Sequence, residues 1–338
     1  MRDFVIWLLL LLVVVGCGQQ EDNGKTVVCY TALDRMFSEP IFRQFEKDTG
    51  IKVLPKYDTE STKTVGLVNA IRAEANRPRC DVFWNNEIVN TIRLKKEDLL
   101  QVYRPKAAEP YPPMFRDPDG HWSGFAARAR VLLVNTDLVK AGAEPASIYH
   151  LASPKWKGRT GIAKPLFGTT ATHAACLFAT LGDEKARTFF KALKDNKIQI
   201  HSGNKSCAQS VAAGATAFGL TDTDDAIIEL EEGKPVKIVY PDNAPDGLGT
   251  LFIPNTLALV KGAPHAEAGK KLIEYLLSAE VEIALAKGRS AQIPLNPNVK
   301  TKVRVKTPKD VQPMKVDFDK AADAFANTAK YIEEHFLK

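Results

Sequence analysis

The stretch that decides the fold is residues 25–57, KTVVCYTALDRMFSEPIFRQFEKDTGIKVLPKY. It opens with a β-branched run, Lys25 to Tyr30, which is typical of a buried strand. A segment with apolar residues at helical spacing follows, with Ser38 as the expected N-cap and Gly50 at its end. Ile51 to Tyr57 indicates a second strand. The stretch therefore predicts a β-α-β unit.

The same alternation continues along the chain. Before a proline-rich loop at residues 105–118, residues 60–75 have helical spacing and Cys80 to Trp84 form a predicted strand. After the loop, the predicted strands are residues 130–134, 159–165, 197–202, 217–222 and 249–260, and the predicted helices are residues 169–182, 207–214, 224–233, 265–288 and 316–336.

The β-α-β pattern occurs in two regions of the chain, and two long extended segments connect these regions. It predicts an α/β protein of two lobes, each a mostly parallel sheet flanked by helices, with two crossover strands as the hinge. We expect residues 26–130 and 257–338 to form lobe 1. Residues 131–256, including the crossover segments, form the predicted lobe 2.

The N-terminus, MRDFVIWLLLLLVVVGCGQQ, has the layout of a secretory signal, and its apolar run is too short to span a bilayer. Its ending, Val-Val-Gly-Cys, is similar to a bacterial lipobox. We therefore expect residues 1–17 to be a lipoprotein signal peptide with a lipidated Cys17, followed by a tether at residues 18–25. Ordinary cleavage nearby, with Cys17 incidental, is the alternative.

Composition and motifs exclude several classes of function. The chain is 45% hydrophobic and 25% charged with a net charge of +6, and its Lys and Arg residues are scattered, so no nucleic-acid partner is expected. No GxSxG, HExxH, P-loop or GxGxxG motif is present, and the six histidines lack ligand spacing. We expect no enzyme, although catalytic groups that converge only in space are the alternative.

Ligands of open parallel sheets bind outside the carboxyl ends of the strands, where this chain has helix starts rich in small polar residues. These helix starts carry Thr62, Lys63, Thr169, Thr170, Asn204 and Lys205. A helix N-terminus attracts anions, and hydroxyls and lysines strengthen that attraction. Capping alone explains each start separately. Three such starts at one edge favour a small anionic ligand.

Arginines at the same edge offer bidentate contacts to a carboxylate or phosphate. Arg35 follows the first strand, and Arg128 and Arg130 share one face of a crossover strand. We expect Arg35 and Arg128 to line the cleft. Asn85, Asn86 and Glu87 follow the CDVFW stretch and are expected to point toward the cleft, with Asn85 as the expected ligand contact.

Residues 219–226, GLTDTDDA, place three carboxylates at the start of a predicted helix. N-capping and favourable charge in the first helical turn fully explain Asp222, Asp224 and Asp225 as structural residues. Ligand contact is the alternative, which we favour for Asp222 and Asp224. Carboxylates that lie opposite helix N-termini, which attract anions, suggest a zwitterionic or amino-bearing ligand, or a metal with a synergistic anion.

Four stretches resemble the ferric-iron-binding branch of the extracellular solute-binding proteins of ABC importers. They are DVFWNNEIVNTIRLKKEDLL, HWSGFAARARVLLVNTDLV, LASPKWKGRTGIAKP and SVAAGATAFGLTD. The resemblance implies the type II periplasmic-binding-protein fold, which closes on its cargo by hinge bending. It also implies a monomer that faces the periplasm or cell exterior and delivers cargo to a permease with its ATPase subunits.

The chain departs from the iron-binding pattern of that branch, in which tyrosines coordinate Fe(III). Asp224 and Asp225 stand near the family's tyrosine pair, Asp34 and Arg35 occupy its His-Tyr region, and Thr170 replaces a further tyrosine. We therefore expect a receptor without a resident cofactor that captures a small anionic or zwitterionic solute, or a metal with an anion. The alternatives are an Fe(III) receptor with Asp224 and Asp225 as metal ligands, and an enzyme on the same scaffold.

Beyond Cys17 the chain has four cysteines, Cys29, Cys80, Cys176 and Cys207. Export predicts an oxidising compartment in which thiols pair, and four cysteines allow three connectivities. A two-lobed fold of the implied type favours the pairs Cys29–Cys80 and Cys176–Cys207, one in each lobe.

Overall fold

The computed structural model describes residues 24–58, 62 and 64–338. The predicted signal peptide with Cys17, most of the tether, and Lys63 lie outside the described residues. Within the described residues, no helix is both long enough and apolar enough to cross a bilayer.

The described residues form ten strands and ten α-helices. The strands are β1 (Thr26–Thr31), β2 (Lys52–Tyr57), β3 (Val82–Asn85), β4 (Leu100–Gln101), β5 (Ser123–Asn135), β6 (Thr160–Ala163), β7 (Gln199–His201), β8 (Phe218–Asp222), β9 (Val236–Val239) and β10 (Phe252–Val260). The helices are α1 (Arg35–Thr49), α2 (Val65–Ala73), α3 (Val89–Lys96), α4 (Gly168–Leu181), α5 (Asp183–Asp195), α6 (Asn204–Ala212), α7 (Thr223–Glu231), α8 (Ala266–Leu276), α9 (Ala279–Lys287) and α10 (Phe318–Tyr331).

The strands join in one mixed sheet of order β2-β1-β3-β10-β5-β8-β6-β7, with β4 beside β10 and β9 beside β5. The groups β2-β1-β3 and β8-β6-β7 are parallel, as expected for β-α-β units. The two crossover strands, β5 and β10, are antiparallel to their neighbours. The α/β prediction is confirmed, but only the two ends of the sheet are parallel, because the crossovers run opposite to those strands.

Strand β5 shows how the two halves are connected. All thirteen of its residues are buried. Its first half pairs with β10, ending at Ala129 opposite Phe252, and its second half pairs with β8, beginning at Arg130 opposite Asp222. The partner strand therefore changes between Ala129 and Arg130. The predicted lobe boundaries stay predictions.

The core consists of two hydrophobic clusters, one on each face of the sheet. Successive strand residues alternate between them: Leu132 belongs to the cluster with α2, α3, α4, α5 and α10, and Leu133 to the cluster with α1, α6, α7, α8 and α9. Helix α10 packs against α4 and also against α3. Helix α10, which the sequence assigns to the predicted lobe 1, therefore contacts helices of both predicted lobes.

Helix boundaries differ from prediction in two places. Helix α1 begins at Arg35, so Ser38 is not its N-cap; the buried Ser38 hydroxyl instead donates to the Asp34 carbonyl at 3.1 Å. The predicted helix at residues 265–288 is two helices, because Ser278 starts α9 and its Oγ accepts a hydrogen bond from the Val281 amide.

The predicted disulfides are absent, and this prediction was wrong. The four cysteines outside the signal peptide are buried free thiols. Cys29 and Cys80 belong to different hydrophobic clusters. Cys207 packs beside Gly219 at the β8 strand, whereas Cys176 lies in the cluster beneath α4.

Candidate functional site

A polar cavity lies at the carboxyl ends of the central strands, where helices α1, α4, α6 and α7 begin. Its volume is about 20 Å³, which is room for roughly one water molecule or one ion. Its walls are Leu33, Asp34, Asn86, Arg128, Gly168, Thr169, Asn204, Asp222, Asp224 and Asp225. Four helix N-termini, four aspartates and an arginine therefore meet around one small space.

The first buried ion pair at this site joins Arg130 and Asp222. The Arg130 side chain is fully buried, and its Nη1 lies 2.6 Å from Oδ1 of Asp222. Arg130 also donates to Thr169 Oγ1 at 3.2 Å, to Thr170 Oγ1 at 3.1 Å and to Asn204 Oδ1 at 2.9 Å. One guanidinium thus ties together β5, β8, α4 and α6.

Asp222 occupies the N-cap position of α7 but makes no capping hydrogen bond with its side chain. Its carboxylate turns into the site, where Oδ2 accepts from Thr169 Oγ1 at 2.5 Å and from Asn204 Nδ2 at 3.0 Å. Together with Arg130, these donors surround the carboxylate as they would a bound anion. Capping therefore does not account for Asp222.

The second buried ion pair joins Arg128 and Asp224. Nε of Arg128 lies 3.3 Å from Oδ2 of Asp224, and both side chains are less than a tenth exposed. The other guanidinium nitrogens of Arg128 donate to the Asn86 carbonyl at 3.1 Å and to Asn255 Oδ1 at 3.3 Å. Arg128 therefore connects the cavity to both crossover strands and to the loop after β3.

The carboxylates at the start of α7 are close to one another. One oxygen each from Asp222, Asp224 and Asp225 lies within 4.8 Å of the others, a grouping that is able to hold a metal ion. No tyrosine of the described residues lines the cavity. Carboxylate oxygens are the hard ligands available there.

His173 lies on α4 behind this network and is buried. Burial, reinforced by the positive charge of Arg130, lowers the pKa of His173 to about 3. The imidazole is therefore neutral at physiological pH and adds no charge to the site.

The structure brings most of the predicted site residues together. Asp34, Arg128, Thr169, Asn204, Asp222, Asp224 and Asp225 line the cavity, and Thr170 contacts Arg130 and Asn204 at its edge.

Four predicted residues lie elsewhere. Arg35 is exposed and pairs with Glu39 one turn along α1, because the helix starts earlier than predicted. Asn85 is buried and donates to Glu87 and Thr91, away from the cavity. Lys205 is exposed to solvent, and the exposed Thr62 donates to Asp58.

Four residues of the site were not among the expected ligand-binding residues: Leu33, Asn86, Arg130 and Gly168. Arg130 shares a strand face with Arg128, and this spacing was the signal that pointed to it. Asn86 was expected near the cleft together with Asn85, and it faces the cavity where Asn85 does not. Gly168 belongs to a polar helix start, and it begins α4 with a φ of +54°, a conformation that favours glycine.

Residues 41–313 match the family model described as bacterial extracellular solute-binding protein. Iron uptake protein A1 of Synechocystis sp. is 28% identical over 315 residues, which cover 85% of this chain and 86% of the relative. A putative 2-aminoethylphosphonate-binding periplasmic protein of Salmonella paratyphi A is 27% identical over 284 residues, covering 81% and 80%.

Among solved structures, the periplasmic binding protein AfuA from Actinobacillus pleuropneumoniae, with exogenous fructose-6-phosphate bound, superposes with a TM-score of 0.82. It is 25% identical, and the match covers 93% of this chain and 100% of the other. The sequence resemblance and the type II fold are thereby confirmed. Because the family match spans most of the chain, this protein belongs to the bacterial extracellular solute-binding proteins.

Proposed function

We propose that the protein is the receptor of an ABC importer and that its cargo carries both a positive and a negative charge. The observation that carries this proposal is the two buried ion pairs at one cavity, Arg130–Asp222 and Arg128–Asp224. Asp222, Arg128 and Asp224 line the cavity, and Arg130 is bonded to its wall residues Asp222, Thr169 and Asn204.

The physical reason is the cost of leaving a buried charge without a partner, which is about 3–5 kcal/mol. A purely cationic cargo that draws Asp222 or Asp224 to itself strands an arginine. A purely anionic cargo that takes Arg128 strands an aspartate. A cargo with both charges exchanges partners with an ion pair and leaves neither side chain unpaired.

A zwitterion such as an aminoalkylphosphonate or an amino acid meets this requirement with one molecule. Its anionic group binds the arginine and the helix N-termini, where backbone amides and the helix dipoles favour negative charge. Its ammonium group binds an aspartate. Because the cavity admits about one water-sized species, such a cargo enters only when the lobes separate at the crossover strands.

A metal ion bound together with an anion is the second candidate. The three clustered carboxylate oxygens of Asp222, Asp224 and Asp225 favour it, as does a cavity the size of a single ion. Fe(III) is a hard cation that accepts such ligands, and the anion then pairs with Arg128. Without a tyrosine in the cavity, this complex lacks the visible absorption band of tyrosinate–iron.

Calorimetric titration with three matched probes tests the proposal: 2-aminoethylphosphonate carries both charges, ethylphosphonate only the negative one, and ethylamine only the positive one. Titration with Fe(III), with and without citrate, tests the second candidate, a metal ion bound together with an anion. We expect binding by 2-aminoethylphosphonate or by Fe(III) with citrate, and no binding by ethylphosphonate or ethylamine, which carry charge of one sign only. The proposal fails if a probe with charge of one sign binds as tightly as the probe with both signs. It also fails if neither 2-aminoethylphosphonate nor Fe(III) with citrate binds.

Arg128→Met provides the variant for this titration, and Arg35→Met is its matched control, because Arg35 is an exposed arginine outside the cavity. We expect R128M to lose cargo binding and R35M to retain it. If R128M still binds Fe(III) when no citrate is present, the cargo is instead a metal ion that the carboxylates hold without an anion.

We further propose that the protein is exported and held at the membrane through lipidated Cys17, as a monomer that docks on a permease. The Val-Val-Gly-Cys sequence supports the anchor. Labelling of cells with an alkyne fatty acid is expected to mark the wild-type protein and not Cys17→Ser. Equal labelling of both proteins excludes this anchor.

A further inference from the structure

Residues 300–306, KTKVRVK, form a row of alternating basic and inward-facing side chains. Lys300, Lys302, Arg304 and Lys306, which we call the basic ridge, are exposed. The intervening Thr301 and Val303 are half-buried and Val305 is buried. The chain here is irregular and bends at Arg304 and Val305, and the alternation in burial places the four basic side chains on its outer side.

The backbone of the basic ridge is fixed to the fold. Arg304 Nη1 lies 2.5 Å from Glu231 Oε1 at the end of α7, and its guanidinium also donates to the Gly288 carbonyl after α9. The Lys306 amide donates to the Tyr240 hydroxyl at 2.8 Å. Val305 and Val303 pack against the hydrophobic cluster that holds α7 and α9.

Within the described part of the chain, the lysines of the basic ridge make no ion pair: Glu231 pairs with Arg304, and Glu232 pairs with Arg289. Asp310, which accepts hydrogen bonds from Thr307, lies near enough to Lys306 for the lysine charge to help lower the Asp310 pKa. The Lys306 ammonium also lies 5.6 Å from the centre of the Tyr240 ring. All three lysines are exposed to solvent, and Lys300 and Lys302 have no acidic partner among the described residues.

The basic ridge lies away from the cargo cavity. Helix α7 begins at the cavity with Asp224 and ends at Glu231, which contacts Arg304. Nine residues at about 1.5 Å each separate the two ends by roughly 13 Å. A partner on the ridge thus leaves the cavity unobstructed.

We propose that the basic ridge binds the anionic phospholipid headgroups of a membrane surface. Lysine ammonium groups are hydrated point charges on flexible stems, which suit a fluid layer of phosphates better than a fixed bidentate acceptor. Each lysine near such a surface contributes about 1 kcal/mol. The predicted tether from Gly18 to Lys25 spans at most about 28 Å, which keeps an anchored fold within reach of the bilayer. The proposal does not depend on the identity of the cargo.

Vesicle co-sedimentation tests this proposal with residues 18–338, which contain every described residue. The vesicles are pure phosphatidylcholine, or phosphatidylcholine with about a third phosphatidylglycerol. We expect binding only to the anionic vesicles, weakened by salt. The variant K300E/K302E/K306E is expected to bind at least roughly a hundredfold more weakly, from three lysines at about 1 kcal/mol each.

The matched control is K140E/K157E/K185E, which changes the net charge equally at three exposed lysines without ion pairs elsewhere in the described chain. It is expected to retain more of the vesicle binding than the ridge variant. Absent binding by the wild type, equal binding by the ridge variant, or an equal loss in the control overturns the proposal. The proposal is also overturned if the ridge variant binds heparin more weakly than the wild type does but binds vesicles equally well. That result would indicate a soluble polyanion as the partner.

Discussion

Asp222 shows how one residue can satisfy two descriptions that differ in function. By position it is the N-cap of α7, and by composition it is a preferred capping residue. Its carboxylate nevertheless accepts hydrogen bonds from Arg130, Thr169 and Asn204 and caps nothing. The buried guanidinium of Arg130 competes more strongly for this carboxylate than the uncharged backbone amides at the start of α7 do.

Asp222→Asn is expected to destabilise the fold by about 3 kcal/mol, because Arg130 then stays buried without a charged partner. Urea unfolding measures this loss. The double variant R130M/D222L, which removes both charges, is expected to recover much of the stability. A double variant less stable than D222N contradicts this account of the pair.

His173 gives a prediction about pH. Its pKa of about 3 in the folded state lies below the value near 6.5 of an unfolded chain. Below pH 6.5 the unfolded chain therefore takes up a proton that the folded chain does not, so the contribution of His173 to stability is complete above pH 6.5 and falls as the pH decreases.

Between pH 7 and pH 5 this loss amounts to roughly 2 kcal/mol. His173→Gln is expected to lose less stability than the wild type over the same interval, as measured by urea unfolding at both pH values. An identical pH dependence of the two proteins shows that His173 is not held neutral.

The buried thiols give a further prediction at this scale. Burial raises the pKa of Cys29, Cys80, Cys176 and Cys207 above the ordinary value of 9.0. We expect a thiol reagent to react slowly with the native protein of residues 18–338. After unfolding in urea, the same reagent is expected to react with all four cysteines. Two missing thiols after unfolding demonstrate a disulfide and contradict the structure.

Residue types were predictable from sequence, but side-chain directions were not. Polar residues at the strand ends pointed to the correct edge of the sheet, and the acidic cluster lies in the cavity as proposed. Asn85 and Asn86 differ only by one position, and alternation along the strand places Asn86 in the cavity. Such a one-residue choice depends on the strand's register, which composition does not fix.

At the scale of elements, a single hydrogen bond joins α4 to the loop before α3. The Thr172 hydroxyl donates to Glu87 Oε2 at 2.6 Å, and both side chains are buried. Glu87 also accepts from Asn85 Nδ2. The bond connects the predicted second lobe to the predicted first lobe beside the cavity.

Thr172→Val keeps the shape of the side chain and removes this donor to a charged acceptor. It is expected to lower the free energy of unfolding by about 2 kcal/mol. Thr188→Val is the matched control, because the exposed Thr188 hydroxyl donates only within α5. Equal effects of the two substitutions would show that the Glu87 contact has no special importance.

Element types were predictable where the hydrophobic period was strong, as in the first β-α-β unit. Boundaries depended on competing local bonds: the Ser278 cap divides α8 from α9, and helix α1 begins at Arg35 although Pro40 lies inside it. Helices α3 and α5 were not predicted, since α3 has the polar, basic sequence VNTIRLKK and α5 directly follows α4.

At the scale of the whole molecule, the two crossover strands explain both the fold and the site. Arg128 and Arg130 stand on β5 on either side of the point where its partner strand changes. Asn255 on β10 accepts from Arg128. The two arginines of the site thus stand on a strand that connects the two halves, so we expect hinge movement and cargo binding to be linked.

The sequence predicted two α/β halves because β-α-β patterns are local. Its antiparallel pairings were not predictable, since β5 pairs with β8 more than eighty residues away and with β10 more than a hundred residues away. The basic ridge was also missed: the overall distribution of Lys and Arg is scattered, and only the alternating burial of residues 300–306 aligns the charges.

A crystal structure of the protein grown with 2-aminoethylphosphonate, or with Fe(III) and citrate, tests the central claim most directly. We predict cargo between the halves, with its anionic group within hydrogen-bond distance of Arg128 or Arg130 and its cationic part on Asp222 or Asp224. Cargo that contacts charges of one sign only, or that lies outside this cavity, contradicts it.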